Sequence, residues 1–403
     1  MLRLRHTLSA CMLATALLAS LPVHAATYYV ATTGNNSNPG TSSSPWRTVT
    51  YAVSKMVAGD TTYVKGGVYS EGMVRFGTSG TQSAPIKLLN APGQFPVIAC
   101  KKDGKANMVL LSNKAGSTKP IGWITIEGFE IRDCYNGIKF SNLHNSTIRR
   151  NWIHHSWGGS GIFGWATKVV IDRNKINANA TSSGGHGIYT NGSYYTITNN
   201  LIYDNGTFGI QLNGSGSSAY DASRHAGQAY ADSNNWTISN NTFAYQRTKA
   251  GIVVWGSRCN NARIENNIFY ENAVKGSSSI EQGISFCCPS TCTGLVIRNN
   301  LAYASGSGGT KFLGSGGNYT QSGNIVNSTD PKFSNAPATL PSSPNFALAS
   351  GSPAVNKGLT TSATKTSYTN VSRPQLSLYD IGAFEFISSS ASLSAPTSLQ
   401  VAN

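Results

Sequence analysis

Two side chains able to move a proton stand three residues apart in the stretch "SSGGHGIYTNGSYYTITNN" (Ser182–Asn200): His186 and Tyr189. An imidazole titrates near neutrality and a phenol near about 10, so the pair suits general acid–base work. Cationic neighbours would favour the phenolate and make Tyr189 a base. Such cations occur nearby. After Asn213 runs an insertion, "GSGSSAYDASRHAGQAYADSNN", with Tyr220, Arg224, His225 and Tyr230, and "QRTKAGI" then adds Arg247 and Lys249. Arginine and lysine beside an acid–base pair fit removal of a proton next to a carboxylate, whose charge must be neutralised as it grows in the transition state. His186, Tyr189, Arg224, His225, Arg247 and Lys249 are therefore expected to converge, with Tyr189 central and its partner open among Lys249, His186 and His225.

The elements that must hold these residues are read from a repeat. "IRRNWI" from Ile148, "IDRNKI" from Ile171, "ITNNLI" from Ile197, "ISNNTF" from Ile238, "IENNIF" from Ile264 and "IRNNLA" from Ile297 share one pattern, and "IEGFEI" from Ile126 is an earlier copy lacking the Asn. A second short segment opening with Gly-Ile follows each copy but the last, at Gly137, Gly161, Gly187, Gly209, Gly251 and Gly283. Periods of this length mark a solenoid, and β-branched, alternating segments bounded by Gly and Asn mark parallel strands. No helical period fills the gaps, which excludes ordinary βαβ units. The repeated Asn151, Asn174, Asn200, Asn241, Asn267 and Asn300 are expected to bond one another up the stack, a structural role.

In each Gly-Ile strand the Ile should face the core, so alternation points the next residue, and the one two further on, outward. That places Lys139 and Ser141, Phe163 and Trp165, Tyr189 and Asn191, Gln211 and Asn213, and Val253 and Trp255 on one exposed face. Rungs about 4.8 Å apart that carry aromatics and amides suit a polysaccharide lying along the stack. Lys139, Trp165, Asn191, Gln211, Asn213, Arg247 and Trp255 are the expected substrate-binding residues. Strict alternation back from Ile188 would turn His186 inward, whereas a break at the turn before Gly187 would turn it outward. Both orientations remain open at this level. His154 and His155 read as surface residues of a turn without partners.

Composition agrees with this architecture. With 42 Gly and only 12% charged residues, the 403-residue chain suits a turn-rich β fold, and at 39% hydrophobic it is too apolar for disorder. Residues 1–25 read as a signal peptide: Arg3 and Arg5, an apolar centre from Met12 to Leu21, and the small-residue site Val23-His24-Ala25. "LSAC" precedes that centre, so lipidation is not expected. The reading is of an exported protein, extracellular or periplasmic, with no membrane span. Cys11 leaves with the leader. The remaining Cys100, Cys134, Cys259, Cys287, Cys288 and Cys292 are even in number and read as disulfides: Cys100 with Cys134, and Cys259 with one of the cluster Cys287, Cys288, Cys292. "CCPSTC" lacks a nearby His or second CxxC for zinc. The net charge of +15 is dispersed, which speaks against a nucleic-acid arm and for an acidic polymer as partner of a monomer.

The chain resembles the right-handed parallel β-helix proteins of the pectin-lyase type. Their opening is matched by "YYVATTGNNSNPGTSSSPWRTVTYAV" and "AGDTTYVKGGVY", and their close by "SPAVNKG" and "YDIGAFEF". The resemblance implies an all-β solenoid over residues 26–387, capped by a short N-terminal helix between Trp46 and Met56. A Ser-rich linker and the truncated start of a further module would follow over 388–403. "GGHGI" also resembles a polygalacturonase motif, but the carboxylates that hydrolysis needs are missing upstream. The Asp cluster of calcium-dependent pectate lyases is missing as well, so no cofactor is expected, with Ca²⁺ the alternative. The closest chemical resemblance is to metal-free β-helix alginate lyases, which implies β-elimination on a uronate polymer, alginate first and pectate second. A uronate C5-epimerase and a non-catalytic carbohydrate-binding or adhesion protein are the alternatives.

Overall fold

The computed structural model describes residues 25–112, 119–182, 184–214, 232–256, 258–276, 281–287, 291–304, 309, 311–327 and 329–388. Residues 1–24, most of the Ser-rich tail, Tyr220, Arg224, His225, Tyr230 and Cys288 lie outside them.

Each repeat forms one coil of three sides. The Gly-Ile strands make the first side and stack in parallel register, Ile138 on Ile162, Ile188, Ile210, Ile252 and Ile284. The Ile-x-x-Asn strands make the second, Ile126 on Ile148, Ile171, Ile197, Ile238, Ile264 and Ile297. Both sides belong to one 19-stranded sheet, and strands Ile138–Arg149 and Ile162–Asp172 run from one side to the other. A 10-stranded sheet closes the third side. The coil is the expected right-handed parallel β-helix.

Physical reasons for each position are visible in the stack. The inward isoleucines of the first two sides are essentially inaccessible to water, and Phe243 and Phe269 stack at 5.1 Å behind them. Glycine opens the first strand because neighbouring coils approach too closely for a side chain. A Cβ on Gly187 would meet the carbonyl oxygen of Gly209 at 2.7 Å, and one on Gly209 would meet that of Gly251 at 2.6 Å.

The expected Asn ladder is present. Asn174 donates to Asn200 Oδ1 at 3.0 Å, Asn200 to Asn241 Oδ1 at 2.9 Å, and Asn241 to Asn267 Oδ1 at 3.0 Å, while each amide also donates to a backbone carbonyl of the preceding coil. The residue just before each ladder Asn holds positive φ: Arg150, Arg173, Asn199, Asn240, Asn266 and Asn299. Asparagine tolerates that left-handed conformation, so the "NN" doublets split their work between turn and ladder. A second ladder, which the sequence reading missed, lies five residues further on. Asn179 donates to Asn205 Oδ1 at 3.0 Å, Asn205 to Gln246 Oε1 at 3.2 Å, and Gln246 N–H to Asn272 Oδ1 at 3.2 Å.

Helix Val49–Lys55 covers the N-terminal end of the coil as expected. Thr48 caps it, and the Glu71 carboxylate accepts from Val49 N–H at 2.8 Å and from the Thr50 hydroxyl at 2.6 Å, satisfying free donors of its first turn. The C-terminal segment 357–385 folds back over the turns between second and third sides. It accepts from Asn240 at Asp380 O (2.8 Å), from Asn266 at Leu359 O (2.8 Å) and from Asn299 at Lys357 O (2.9 Å). Within it, Arg373 and Glu385 form a fully buried ion pair at 2.5 Å.

The Cys100–Cys134 disulfide is formed. The second expected pairing is corrected: Cys259, Cys287 and Cys292 are thiols in this structure. Cys259 and Cys292 lie side by side, and the Cys259 N–H donates to Cys292 Sγ at 3.3 Å. Their mutual hydrogen bond pushes the Cys259 thiol up and holds Cys292 down to about 7.

Candidate active site

Register converts the alternation of the first side into two outward columns. One runs Lys139, Phe163, Tyr189, Gln211, Val253 and Ser285. The other pairs Ser141 with Trp165 and Asn191, then Asn213 with Trp255 and Cys287. Packing ties the first column together: the Lys139 ammonium lies 5.5 Å over the Phe163 ring, and Phe163 meets Tyr189 edge-on at 5.4 Å. Trp255 is 37% exposed, whereas Asn191, Gln211 and Asn213 are only 7%, 7% and 4% exposed. The amides therefore line an enclosed part of the face, where each group must find a partner. Gln211 donates to Asn213 Oδ1 at 3.4 Å.

The turn before Gly187 breaks the alternation and settles the orientation of His186. Its ring stands outside the coil, 5.1 Å from the Tyr189 ring and 5.7 Å from Phe208, with a hydrogen bond to the Thr207 hydroxyl, and with the Gln211 side chain beside it. Burial presses its pKa down to about 4 against the opposing pull of Gln211. The imidazole is therefore neutral at physiological pH, able to accept at one nitrogen and donate at the other. His186 and Tyr189 form the one expected acid–base pair that the described residues bring together.

The cations sit further off. His186, Phe208 and Ala250 occupy one position of successive coils, because their carbonyls accept in turn from Gly161, Gly187 and Gly209. Lys249, exposed and next to Ala250, thus belongs two rungs beyond His186, roughly 10 Å along the axis. Lys139 lies two rungs from Tyr189 in the other direction. Arg247 is engaged with Asp204, Nε to Oδ1 at 2.8 Å and Nη2 to Oδ2 at 3.2 Å. Its guanidinium is held at the turn leaving the third side. The contribution of Arg224 and His225 falls outside the described residues.

His155 is exposed as expected but pairs with His154, and His154 itself is corrected. His154 is buried, stacks on Trp152 at 4.1 Å, and bonds Glu130 at 3.2 Å and His155 at 2.5 Å. Glu130 comes from the adjacent coil, a contact that spacing within one turn does not reveal. Among the described residues, no three His, Cys, Asp or Glu side chains cluster as a set of metal ligands.

Coil and outward columns together define a right-handed parallel β-helix solenoid. A family model described as the Pel9A-like right-handed β-helix region matches residues 28–182, and one described as NosD, periplasmic copper-binding protein, matches residues 106–286. A search of curated proteins gives no match. Among solved structures the chain is similar to a glycoside hydrolase, at 10% identity over 75% of this chain and 96% of that one, TM-score 0.52. It is also similar to pectate lyase Pel9A, at 18% identity over 89% and 96%, TM-score 0.48. An alginate lyase from Paenibacillus sp. str. FPU-7 follows, at 14% identity over 69% and 96%, TM-score 0.38. At 10% identity the likeness to the glycoside hydrolase bears on the fold alone.

Proposed function

We propose that this chain is an exported polysaccharide lyase that cleaves an anionic uronate polymer, alginate first and pectate second, by β-elimination. The observation that carries the reading is the outward His186–Tyr189 pair, set on a rigid strand among buried amides and flanked along the axis by Lys139 and Lys249. On the described Gly-Ile strands Glu281 places one carboxylate on this face, three rungs from Tyr189 and accepting from the Ser285 hydroxyl at 2.7 Å, with no second carboxylate on the first side of those strands to complete the pair that glycoside hydrolysis uses. Tyr189 takes the C5 proton as general base. The C5–H electron pair becomes the C4–C5 double bond, the C4–O bond breaks, and the phenol returns its proton to the departing oxygen. His186 lends a hydrogen bond from a neutral ring and adds no competing charge. Asn191, Gln211 and Asn213 present amides to sugar hydroxyls and carboxylate, and the aromatic rungs present faces to sugar C–H surfaces. The reading needs no resident cofactor.

The test is incubation with a panel of uronate polymers, following the ultraviolet absorbance of the unsaturated product. Tyr189→Phe keeps the ring but removes the acid–base group, and should lower the rate by roughly 10²–10⁴ with little change in polymer binding. An unchanged rate would remove Tyr189 from the mechanism. Binding without any unsaturated product, in wild type and variant alike, would instead favour the carbohydrate-binding reading.

A further inference from the structure

The turn that ends at His186 also forms one wall of a cavity of about 460 Å³ on the same edge of the coil. Its other walls come from Lys102, Asp133, His155 and Trp157, with Thr181 and Ser182 on the His186 side. The volume lies within the range of about 300–1,000 Å³ typical of small-ligand clefts. Trp157 is 47% exposed, an unusual state for a large ring on a folded surface. Its placement is rigid: the ring meets Tyr135 edge-on at 4.9 Å, and the Trp157 N–H donates at 2.9 Å to the carbonyl of Cys134, a disulfide residue. The same disulfide anchors the loop that carries Lys102.

The cavity lining itself carries one cation and one anion, Lys102 and Asp133, and these pair with each other at 3.2 Å. Arg132 also pairs with Asp133 at 2.6 Å and with Glu130 at 3.1 Å, giving two cations and two anions in all. Burial raises the Asp133 carboxyl, but bonding and charge from Lys102 and Arg132 outweigh it and keep the group ionised. Burial, followed by the neighbouring His154, lowers the His155 pKa and keeps that ring neutral. A uronate entering here would meet the Asp133 carboxylate at close range and would have to compete for its partners. An uncharged sugar ring meets a hydrophobic face, hydroxyl and imidazole partners, and no opposing charge. Discrimination of this kind works by repulsion as much as by attraction.

We propose that this cavity is a subsite for an uncharged sugar ring, so that the polymer recognised by this chain carries neutral sugars beside its uronates. The inference rests on the reading of the neighbouring face as a uronate lyase, and it narrows the substrate from a homopolymer to a mixed uronan. Wild type and Trp157→Ala are compared for binding to alginate and polygalacturonate, which are uniformly charged, and to an alternating rhamnose–galacturonate polymer and glucuronoxylan, which are mixed. Trp157→Ala should weaken binding of a mixed polymer about tenfold, as loss of an aromatic contact does, and leave the uniform polymers within twofold. Trp157→Tyr should restore most of the loss. Asp133→Asn unbalances the rim and should raise affinity for the uniform polymers. On wild type alone, short neutral oligosaccharides released from the mixed polymer should compete with it for binding.

Equal losses on both polymer kinds, no loss on the mixed ones, or failure of neutral oligosaccharides to compete would overturn the subsite. Because Trp157 is read out by binding and Tyr189 by turnover, the two readings fail separately. A fully active Tyr189→Phe enzyme with an intact Trp157 effect sinks the lyase mechanism and spares the subsite. Unchanged mixed-polymer binding by Trp157→Ala beside a dead Tyr189→Phe does the reverse.

Discussion

Lowering the pH should loosen the protein through His186 in particular. In the folded chain its imidazole is held down to about 4, whereas an exposed histidine titrates near 6.5. Between those values the unfolded chain binds a proton that the folded chain refuses, so unfolding becomes easier as the medium acidifies. The contribution is fully present above pH 6.5 and is lost progressively as pH falls toward 4. At 1.36 kcal/mol per pH unit the gap corresponds to an upper value of about 3 kcal/mol. The assay is urea unfolding of wild type and His186→Gln at constant ionic strength across pH 4 to 8, followed by circular dichroism. Glutamine keeps a polar side chain beside Thr207 and Gln211 but does not titrate. Other histidines, His144 and His155 among them, contribute equally to both proteins and cancel in the comparison. Wild type should therefore lose up to about 3 kcal/mol more than the variant on acidification, with the curves converging above pH 7. If the two curves stay parallel within ~0.5 kcal/mol, the ordinary scatter of surface substitutions, the enclosed neutral imidazole is wrong, and with it the proton inventory of the site.

Two further outcomes are expected. Asn200→Ala removes the acceptor for the Asn174 backbone N–H (2.8 Å) and amide (3.0 Å) and the donor to Ile171 O (2.9 Å), all buried. At about 1–3 kcal/mol per orphaned group, denaturant unfolding should show a loss of roughly 3–6 kcal/mol. Asn324→Ala, at the half-buried end of the ladder, should lose clearly less. Cys134→Ser opens a link across 34 residues and should cost roughly 2–4 kcal/mol. Trp157 fluorescence should change as well, since its backbone hangs on the Cys134 carbonyl.

Much of the coil was legible because its repeat obeys simple geometry. Ile every coil, Gly where coils touch and Asn where the turn needs an amide are all local requirements, and each appears as a spaced letter. Alternation from Ile188 was enough to aim Tyr189 outward, and the Cys100–Cys134 link followed from neighbouring coils. The second ladder was just as periodic, five residues after the first, but Gln246 stands where Asn is expected and Ser156 begins the series, so identity hid what spacing preserved. His186 was undecidable because period-2 reasoning ends where the strand does. The partnering of His154 with Glu130, and of Arg247 with Asp204, depends on which turns face one another between coils. Insertions of unequal length blur that correspondence in the sequence.

The returning C-terminal segment changes what kind of object the solenoid is. A plain stack of coils is nearly one-dimensional: each coil knows only its neighbours, and either end can peel away independently. Here residues 357–385 reach side chains on five successive coils, from Arg173 and Asn199 through Asn240 and Asn266 to Asn299. A coil in the middle is thereby coupled to the end of the chain across as many as 197 residues. Peeling from the C-terminal end must first release contacts with coils that are still folded, so fraying and global unfolding merge into one event. The lashing also orders assembly, because its docking surface exists only after those five turns have stacked. The middle coils, which carry His186 and Tyr189, therefore gain their last restraint when the chain's end closes over them.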